Sequence, residues 1–260
     1  MRARKRYGQH FLHDPAVIRR IVHAIAPSAA DHLVEIGPGR GALTQLLLAP
    51  AGTLDVIEID RDLCALLREK FAAEPRFVVH EADALEFDYG ALARERRGRL
   101  RIVGNLPYNI STPLLFRLLA SATTIEDMHL MLQREVVERM VAQPGGGDYG
   151  RLTVMLAPWV HVERLFAIGP GAFQPAPRVW SAMVRMTVRP TPAFVVSPHF
   201  AAVVAAAFGH RRKTLRNALK GVVSSTVIDA CKLDGSVRAE TLAPEAFNIL
   251  AQTLDACAET

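Results

Sequence analysis

Asn105-Leu106-Pro107-Tyr108 brings together residue types that suit a flat base carrying an amino group. The Asn carbonyl oxygen can accept from an exocyclic amine. Pro holds its stretch extended and lacks an N–H, so nearby carbonyls can face a ligand. Tyr offers a ring face on which a base can stack, worth about 1–3 kcal/mol per base. The four residues follow an apolar run over 100–104 that reads as a buried strand, so they stand just past its carboxyl end. That edge is where open α/β sheets bind ligands. For so short a motif, a plain strand-to-loop turn with a buried Tyr is the alternative.

Glu35-Ile36-Gly37-Pro38-Gly39-Arg40-Gly41 follows an earlier strand and opens a helix. Its glycines allow a sharp turn and a close backbone approach to a ligand. The loop also meets the loose dinucleotide fingerprint, with Glu58 placed about 20 residues on as a ribose-binding acid. A nicotinamide dehydrogenase therefore stays open at this level. Three acceptors tip the balance. Glu58-Ile59-Asp60 ends the second strand, where a carboxylate can chelate both ribose hydroxyls. Asp83 follows the third strand, placed to accept from an adenine amine, and Asn105 follows the fourth. Acceptors after successive strands suit S-adenosylmethionine lying across the carboxyl edge. Each acid alone could instead be a helix N-cap.

The elements that must hold these residues are legible in outline. Asp14-Pro15 starts a helix, an N-cap acid followed by Pro at the first helical position. Strands are expected over 32–36, 54–59, 77–80, 100–104 and 128–132, alternating with helices over 42–48, 61–71, 112–119 and 135–142. Short β runs near 165–168 and 182–188 complete the sheet. This order predicts an α/β fold built on a parallel, doubly wound Rossmann-like sheet covered on both faces. Arg189-Pro190-Thr191-Pro192 reads as a linker. Beyond it, helices are expected over 200–208, 212–219 and 244–256. The expected organisation is a catalytic domain over 1–189, with a basic arm over 1–13, and a small all-α domain over 193–260.

With 260 residues, half of them hydrophobic, the chain can bury a full core. No run of roughly 18 apolar residues predicts a membrane span, and the basic N-terminus lacks the apolar stretch of a signal peptide. Cys64, Cys231 and Cys257 are odd in number and scattered, which argues against a disulfide framework or a zinc site and for a reducing cytoplasm. The charge is localised. Of 31 lysines and arginines, nine lie in residues 1–13 and 208–221, which contain no acid; the other 22 are outnumbered by 26 acids. Arg4, Lys5 and Arg6, with Arg211, Arg212, Lys213 and Arg216, are the candidate RNA contacts. A solvated helix face is the alternative for each cluster.

Six segments together carry a family resemblance. They are Gly8-Gln9-His10-Phe11-Leu12, the Glu35–Gly41 loop, Asn105-Leu106-Pro107-Tyr108-Asn109-Ile110-Ser111-Thr112-Pro113, Met131-Leu132-Gln133-Arg134-Glu135-Val136, Phe173-Gln174-Pro175-Ala176-Pro177-Arg178-Val179, and Phe208-Gly209-His210-Arg211-Arg212-Lys213-Thr214-Leu215-Arg216. Over nearly its whole length the chain resembles the small-subunit (16S) ribosomal RNA adenine N6,N6-dimethyltransferases. The resemblance implies methyl transfer from S-adenosylmethionine to two adjacent adenines near the 3′ end of that RNA. It places His10 and Leu12 beside the cofactor's methionine portion, Gly37 and Gly39 in the loop beneath it, Glu58 on the ribose and Asp83 on the adenine ring. Asn105 lies where cofactor and target base meet. The target amine would be held by the Asn105 side chain and the Leu106 carbonyl beside Pro107, with Tyr108 stacking the base and Phe173 closing the other face. No metal is implied, and the expected partner is 16S RNA within the 30S subunit or its precursor, approached by a monomer. The large-subunit (23S) adenine methyltransferases of macrolide resistance share the catalytic block and are the nearest alternative. A non-catalytic ribosome assembly factor is a second, disfavoured because binding alone would not require Asn105, Glu58 and Asp83.

Overall fold

The apolar runs assemble into one seven-stranded sheet, and the computed structural model describes residues 9–210 and 212–258. The chain runs β1 (Phe11–Leu12), α1 (Pro15–Ile25), β2 (His32–Ile36), α2 (Thr44–Leu48), β3 (Thr53–Glu58), α3 (Arg61–Lys70) and β4 (Phe77–Glu81). It continues through α4 (Tyr89–Arg96), β5 (Leu100–Asn105), α5 (Ser111–Leu119), β6 (Ile125–Gln133), α6 (Arg134–Val141) and α7 (Arg151–Leu156). Then come β7 (Val160–Ile168), β8 (Phe173–Gln174), β9 (Ser181–Val188), α8 (Phe200–Phe208), α9 (Leu215–Ala218), α10 (Ser225–Ala230) and α11 (Pro244–Ala258).

The main sheet has the order β4-β3-β2-β5-β6-β9-β7, and β1 pairs with β8 in a separate two-stranded ladder. From β4 to β6 every neighbour is parallel, as expected for strands joined by crossover helices. The expectation of a wholly parallel sheet needs one correction. β9 runs antiparallel to β6, with Met131 opposite Met183 and Gln133 opposite Ser181. The segment between β7 and β9 contains no α-helix, and without a crossover the chain reverses direction.

Strand order changes direction at β2, which has β3 on one side and β5 on the other. A crevice opens at such a point beyond the carboxyl ends of the strands. Helix caps fix the approach to it. Asp14 accepts from the amides of Ala16 (2.8 Å) and Val17 (3.2 Å) to start α1, as its sequence predicts. Ile18, Ile21 and Ile25 of α1, Leu47 and Leu48 of α2, and Leu67 of α3 join Leu33, Leu54, Val56 and Val103 of the sheet in one buried cluster.

The chain divides into two compact units, one of residues 1–137 and 162–188, the other of 138–161 and 189–260. The helical unit thus includes a segment that the sequence boundary near 189 leaves with the sheet. The cause is packing: Tyr149 and Val154 share a buried cluster with Phe200, Val203 and Val204 of α8, Leu215 of α9, and Phe247 and Leu250 of α11. The expected helix over 212–219 forms only over Leu215–Ala218, while α4, α7 and α10 arise where no helix is expected.

Candidate active site

Four strand ends converge on one pocket, which is lined by Gly37 and Gly39 after β2, Glu58 at the end of β3, Asp83 after β4, and Asn105 at the end of β5. His10 closes one side, and Leu106, Pro107 and Tyr108 continue the wall from Asn105. The loop after β2 owes its shape to glycine. Gly39 has φ +57°, a left-handed conformation, and a Cβ there would lie 2.9 Å from the Phe11 ring. Gly37, at φ +67°, faces the Asn105 backbone carbonyl across the switch point.

Glu58 is nearly buried. Its Oε1 accepts from the amides of Ile59 and Asp60, each at 3.0 Å, and Oε2 from the Gly39 amide at a long 3.4 Å. Burial pushes its carboxyl above the usual range despite these amides. The long contact leaves Oε2 with acceptor capacity for a hydroxyl group. Asp60 caps α3 by accepting from the Asp62 amide at 3.1 Å, so here the N-cap reading of an acid holds. Asp83 Oδ1 accepts from the Leu85 amide at 2.9 Å, which orients the carboxylate at the pocket wall.

Asn105 is set by a specific bond. Its Nδ2 donates to the His10 main-chain carbonyl at 2.9 Å, so the side-chain amine is engaged and Oδ1 is the acceptor left for a ligand. Among the described residues none donates to the Leu106 carbonyl, whereas the Pro107 carbonyl accepts from the Ile110 amide at 3.2 Å. Tyr108 is half-buried, and its hydroxyl shares a 2.8 Å hydrogen bond with Ser181 Oγ. Its ring stacks on His10 with centroids 5.7 Å apart and planes 28° apart. The His10 Nδ1 donates to the Pro175 carbonyl at 2.7 Å, which fixes that ring in turn.

Two expected site residues stand apart. Leu12 and Phe173 are 7% and 2% exposed, lie opposite one another in the β1–β8 ladder, and belong to the core cluster. Strand alternation explains it: Phe11 faces the pocket and Leu12, one residue on, turns to the core. His10, not Phe173, is the ring that lies against Tyr108. Ile59 is the residue that the sequence reading passes over. It lines the pocket and is 44% exposed, a large apolar side chain with no core to fill. Its signal is its place between two acids at a strand end.

Arg4, Lys5, Arg6 and Arg211 lie outside the described residues. Arg212 and Lys213 are exposed, and Lys213 shares a cleft of the helical unit with Arg139, Arg151 and His210. Arg216 forms a 2.8 Å ion pair with Asp229 and packs over Gly235, so its charge is already partnered. Among the described residues no cluster of three or more His, Cys, Asp or Glu could hold a metal, and no helix is long and apolar enough to cross a membrane.

The pocket fits S-adenosylmethionine on its own chemistry. Left-handed glycines leave room for a ligand against the backbone, acidic acceptors stand where hydroxyls and an amine need them, and Ile59 offers an apolar surface for a ring. Comparison with known proteins agrees. The family model described as "Ribosomal RNA adenine dimethylase" matches residues 1–256. The "Ribosomal RNA small subunit methyltransferase A" of Pseudomonas syringae pv. tomato is 54% identical over 255 residues, covering 97% of this chain and 95% of its own. A dimethyladenosine transferase from Plasmodium falciparum superposes with a TM-score of 0.83 at 23% identity, covering 96% of this chain and 98% of its own, and shows the shared fold. The 23S rRNA methyltransferase ErmE superposes with a TM-score of 0.70 at 27% identity, covering 94% and 99%.

Proposed function

The chain belongs to the ribosomal RNA adenine dimethylases, and from that membership we propose how its residues divide the work. It is an S-adenosylmethionine-dependent enzyme that places two methyl groups on each of two adjacent adenine N6 amines of small-subunit rRNA. The large-subunit alternative is set aside, because small-subunit enzymes match at over half identity and the 23S enzyme at 27%.

When bound, the cofactor supplies an electrophilic methyl group on a positively charged sulfur. Glu58 binds its ribose and Asp83 its adenine amine, with Ile59 beneath the ring and the Gly37–Gly39 turn against the remainder. His10 stays close to the reacting end. An adenine amine is a poor nucleophile because its lone pair is shared with the ring. Asn105 Oδ1 and the Leu106 carbonyl each accept one amino hydrogen, which draws the nitrogen toward an attacking, tetrahedral shape. Tyr108 stacks the extruded base, as enzymes acting on a base require. For each methyl gained, the amine nitrogen would release one proton to water. Alignment supplies most of the rate, with reacting atoms held about 3–3.5 Å apart.

The observation that carries this reading is the Asn105–His10 bond, which engages the Asn105 nitrogen and leaves its Oδ1 as an acceptor in the pocket for a target amine. The substrate form is the 30S subunit or its precursor, met by a monomer in the cytoplasm without a metal. The helical unit and the basic arm grip RNA. Methyl transfer from labelled cofactor to unmethylated 30S and 50S subunits tests the assignment. Transfer is expected to 30S alone, and Asn105→Ala should lower it by orders of magnitude while cofactor affinity changes much less. Near-normal turnover by that variant would remove Asn105 from the chemistry.

A further inference from the structure

Trp180 is half exposed, an unusual place for the largest side chain of a chain that holds only two tryptophans. It precedes β9, and Ser181, the next residue, holds the Tyr108 hydroxyl at 2.8 Å. Its carbonyl accepts from the Arg134 amide at 2.9 Å, where β6 gives way to α6. Because β9 runs antiparallel to β6, its start lies at the edge where β5 and β6 end. Trp180 therefore stands on the catalytic edge, two strand spacings to the side of Asn105 and three residues further along the strand direction, roughly 14 Å away by strand geometry. The far end of the indole lies over Gly169, where even an added Cβ would meet it at 3.7 Å, so the ring has a floor. Val179 beside it is also exposed, as is the Arg178 side chain.

We propose that Trp180 is a second base-stacking site, which holds the base flanking the target adenine while Tyr108 holds the target itself. The proposal rests on the methyl-transfer reading of the pocket. Three observations favour an RNA base as the occupant over a protein. The ring continues the edge that carries the target slot, it is tied to Tyr108 through Ser181, and two exposed arginines stand beside it, Arg178 two residues before it in the chain and Arg134 with its amide on the Trp180 carbonyl. An indole accepts any base by its π face, which suits a site that must serve two successive adenines in turn. The tie to Ser181 also means that a base seated on Trp180 steadies the strand start that positions Tyr108.

Steady-state methylation of unmethylated 30S subunits by Trp180→Ala, Trp180→Phe and Trp180→Leu tests it. For Trp180→Ala the KM for subunits should rise about tenfold, within what base–aromatic stacking supplies, while kcat stays within about twofold and cofactor affinity is unchanged. Phe should restore most of the loss and Leu little, since Leu fills the space without a π face. Trp159→Phe leaves Trp180 as the sole indole, and its fluorescence should be quenched by a single-stranded RNA oligonucleotide containing two adjacent adenines. Equal rescue by Leu and Phe, or an unchanged KM in Trp180→Ala, would reduce Trp180 to a surface cover over Gly169. Absence of transfer by the wild-type enzyme would instead overturn the methyl-transfer reading.

Discussion

Asn105 has one amide and two jobs, and the hydrogen bond from its nitrogen to the His10 carbonyl settles which end serves which. The same economy appears at Glu58, whose oxygens are held by the amides of Ile59, Asp60 and Gly39 before any ligand arrives. A preset carboxylate loses little freedom on binding, so its hydrogen bonds to ribose count fully; bonds to charged groups contribute about 1.5–3 kcal/mol each. Glu58→Ala should weaken cofactor binding tenfold or more by calorimetry, and an unchanged dissociation constant would exclude it from the site. Glu35 behaves differently. It is buried in β2, takes a 2.6 Å hydrogen bond from Thr44 Oγ1 and lies near Glu58. Burial foremost pushes its carboxyl up to about 7, opposed by the Thr44 bond. In the unfolded chain it titrates near 4.3, so the folded protein keeps a proton that the unfolded chain sheds. Stability therefore falls as pH rises from about 4.5 to 7 and levels off above. Glu35→Gln, which keeps an acceptor for Thr44, should abolish that fall and gain about 2–4 kcal/mol on wild type between pH 4.5 and 8 in urea titrations. A parallel pH dependence in the two proteins would place the ionised carboxylate in the native state.

At the scale of elements, β3 carries the site on one end and a buried ion cluster in its middle. Asp55, fully buried, accepts from His80 Nε2 at 2.7 Å on β4 and from Arg96 Nε and Nη2 at 2.9 and 2.7 Å at the end of α4. Burial opposes its charge, but these donors win and hold its carboxyl below the usual range. The cluster ties α4 and β4 to the strand that presents Glu58. Removing the acid leaves the partly buried Arg96 guanidinium and the His80 ring without their acceptor, which costs about 1–3 kcal/mol. Asp55→Ala should lower the melting temperature at pH 7, and the gap from wild type should close as pH falls below about 4, where the folded wild type loses this stabilisation. A gap that persists there would mean lost packing alone. None of this cluster shows in the sequence, because its members are 25 and 41 residues apart and no local pattern links them. What is legible follows from local rules. Asp14-Pro15 caps α1 because both residues act within one turn, and the five parallel strands are visible as apolar runs. The pocket acids are legible because strand ends converge by topology. Leu12 and Phe173 are misplaced by the sequence reading because the β1–β8 ladder that turns them inward pairs residues 161 and 163 positions apart. Helix α7 falls to the helical unit because Val154 packs with Phe200 and Phe247, a long-range contact that no linker composition announces.

The whole molecule is basic, but the charge is held in two segments, residues 1–13 and 208–221, while the remainder of the chain is acidic. An acidic remainder repels RNA phosphates from most of the surface and leaves the two segments to set where the substrate docks. Arg216 contributes less than its place in the sequence promises, since Asp229 neutralises it. Arg212 and Lys213 remain exposed, and Lys213 shares its cleft with Arg139, Arg151 and His210. Neutralising Arg211, Arg212 and Lys213 together should weaken subunit binding and flatten its salt dependence by roughly 0.7–0.9 log units of slope per lost phosphate contact. Cofactor affinity should stay unchanged, because the pocket is lined by residues of the sheet-bearing unit alone. Adding Arg216→Ala should change the slope little, since an arginine already paired in the protein releases fewer counterions from the RNA. Subunit binding at several salt concentrations, for wild type, the triple and the quadruple variant, separates these contributions. Parallel slopes for wild type and triple variant would make the 208–221 cluster a solvated face and shift the RNA-gripping role to the arm.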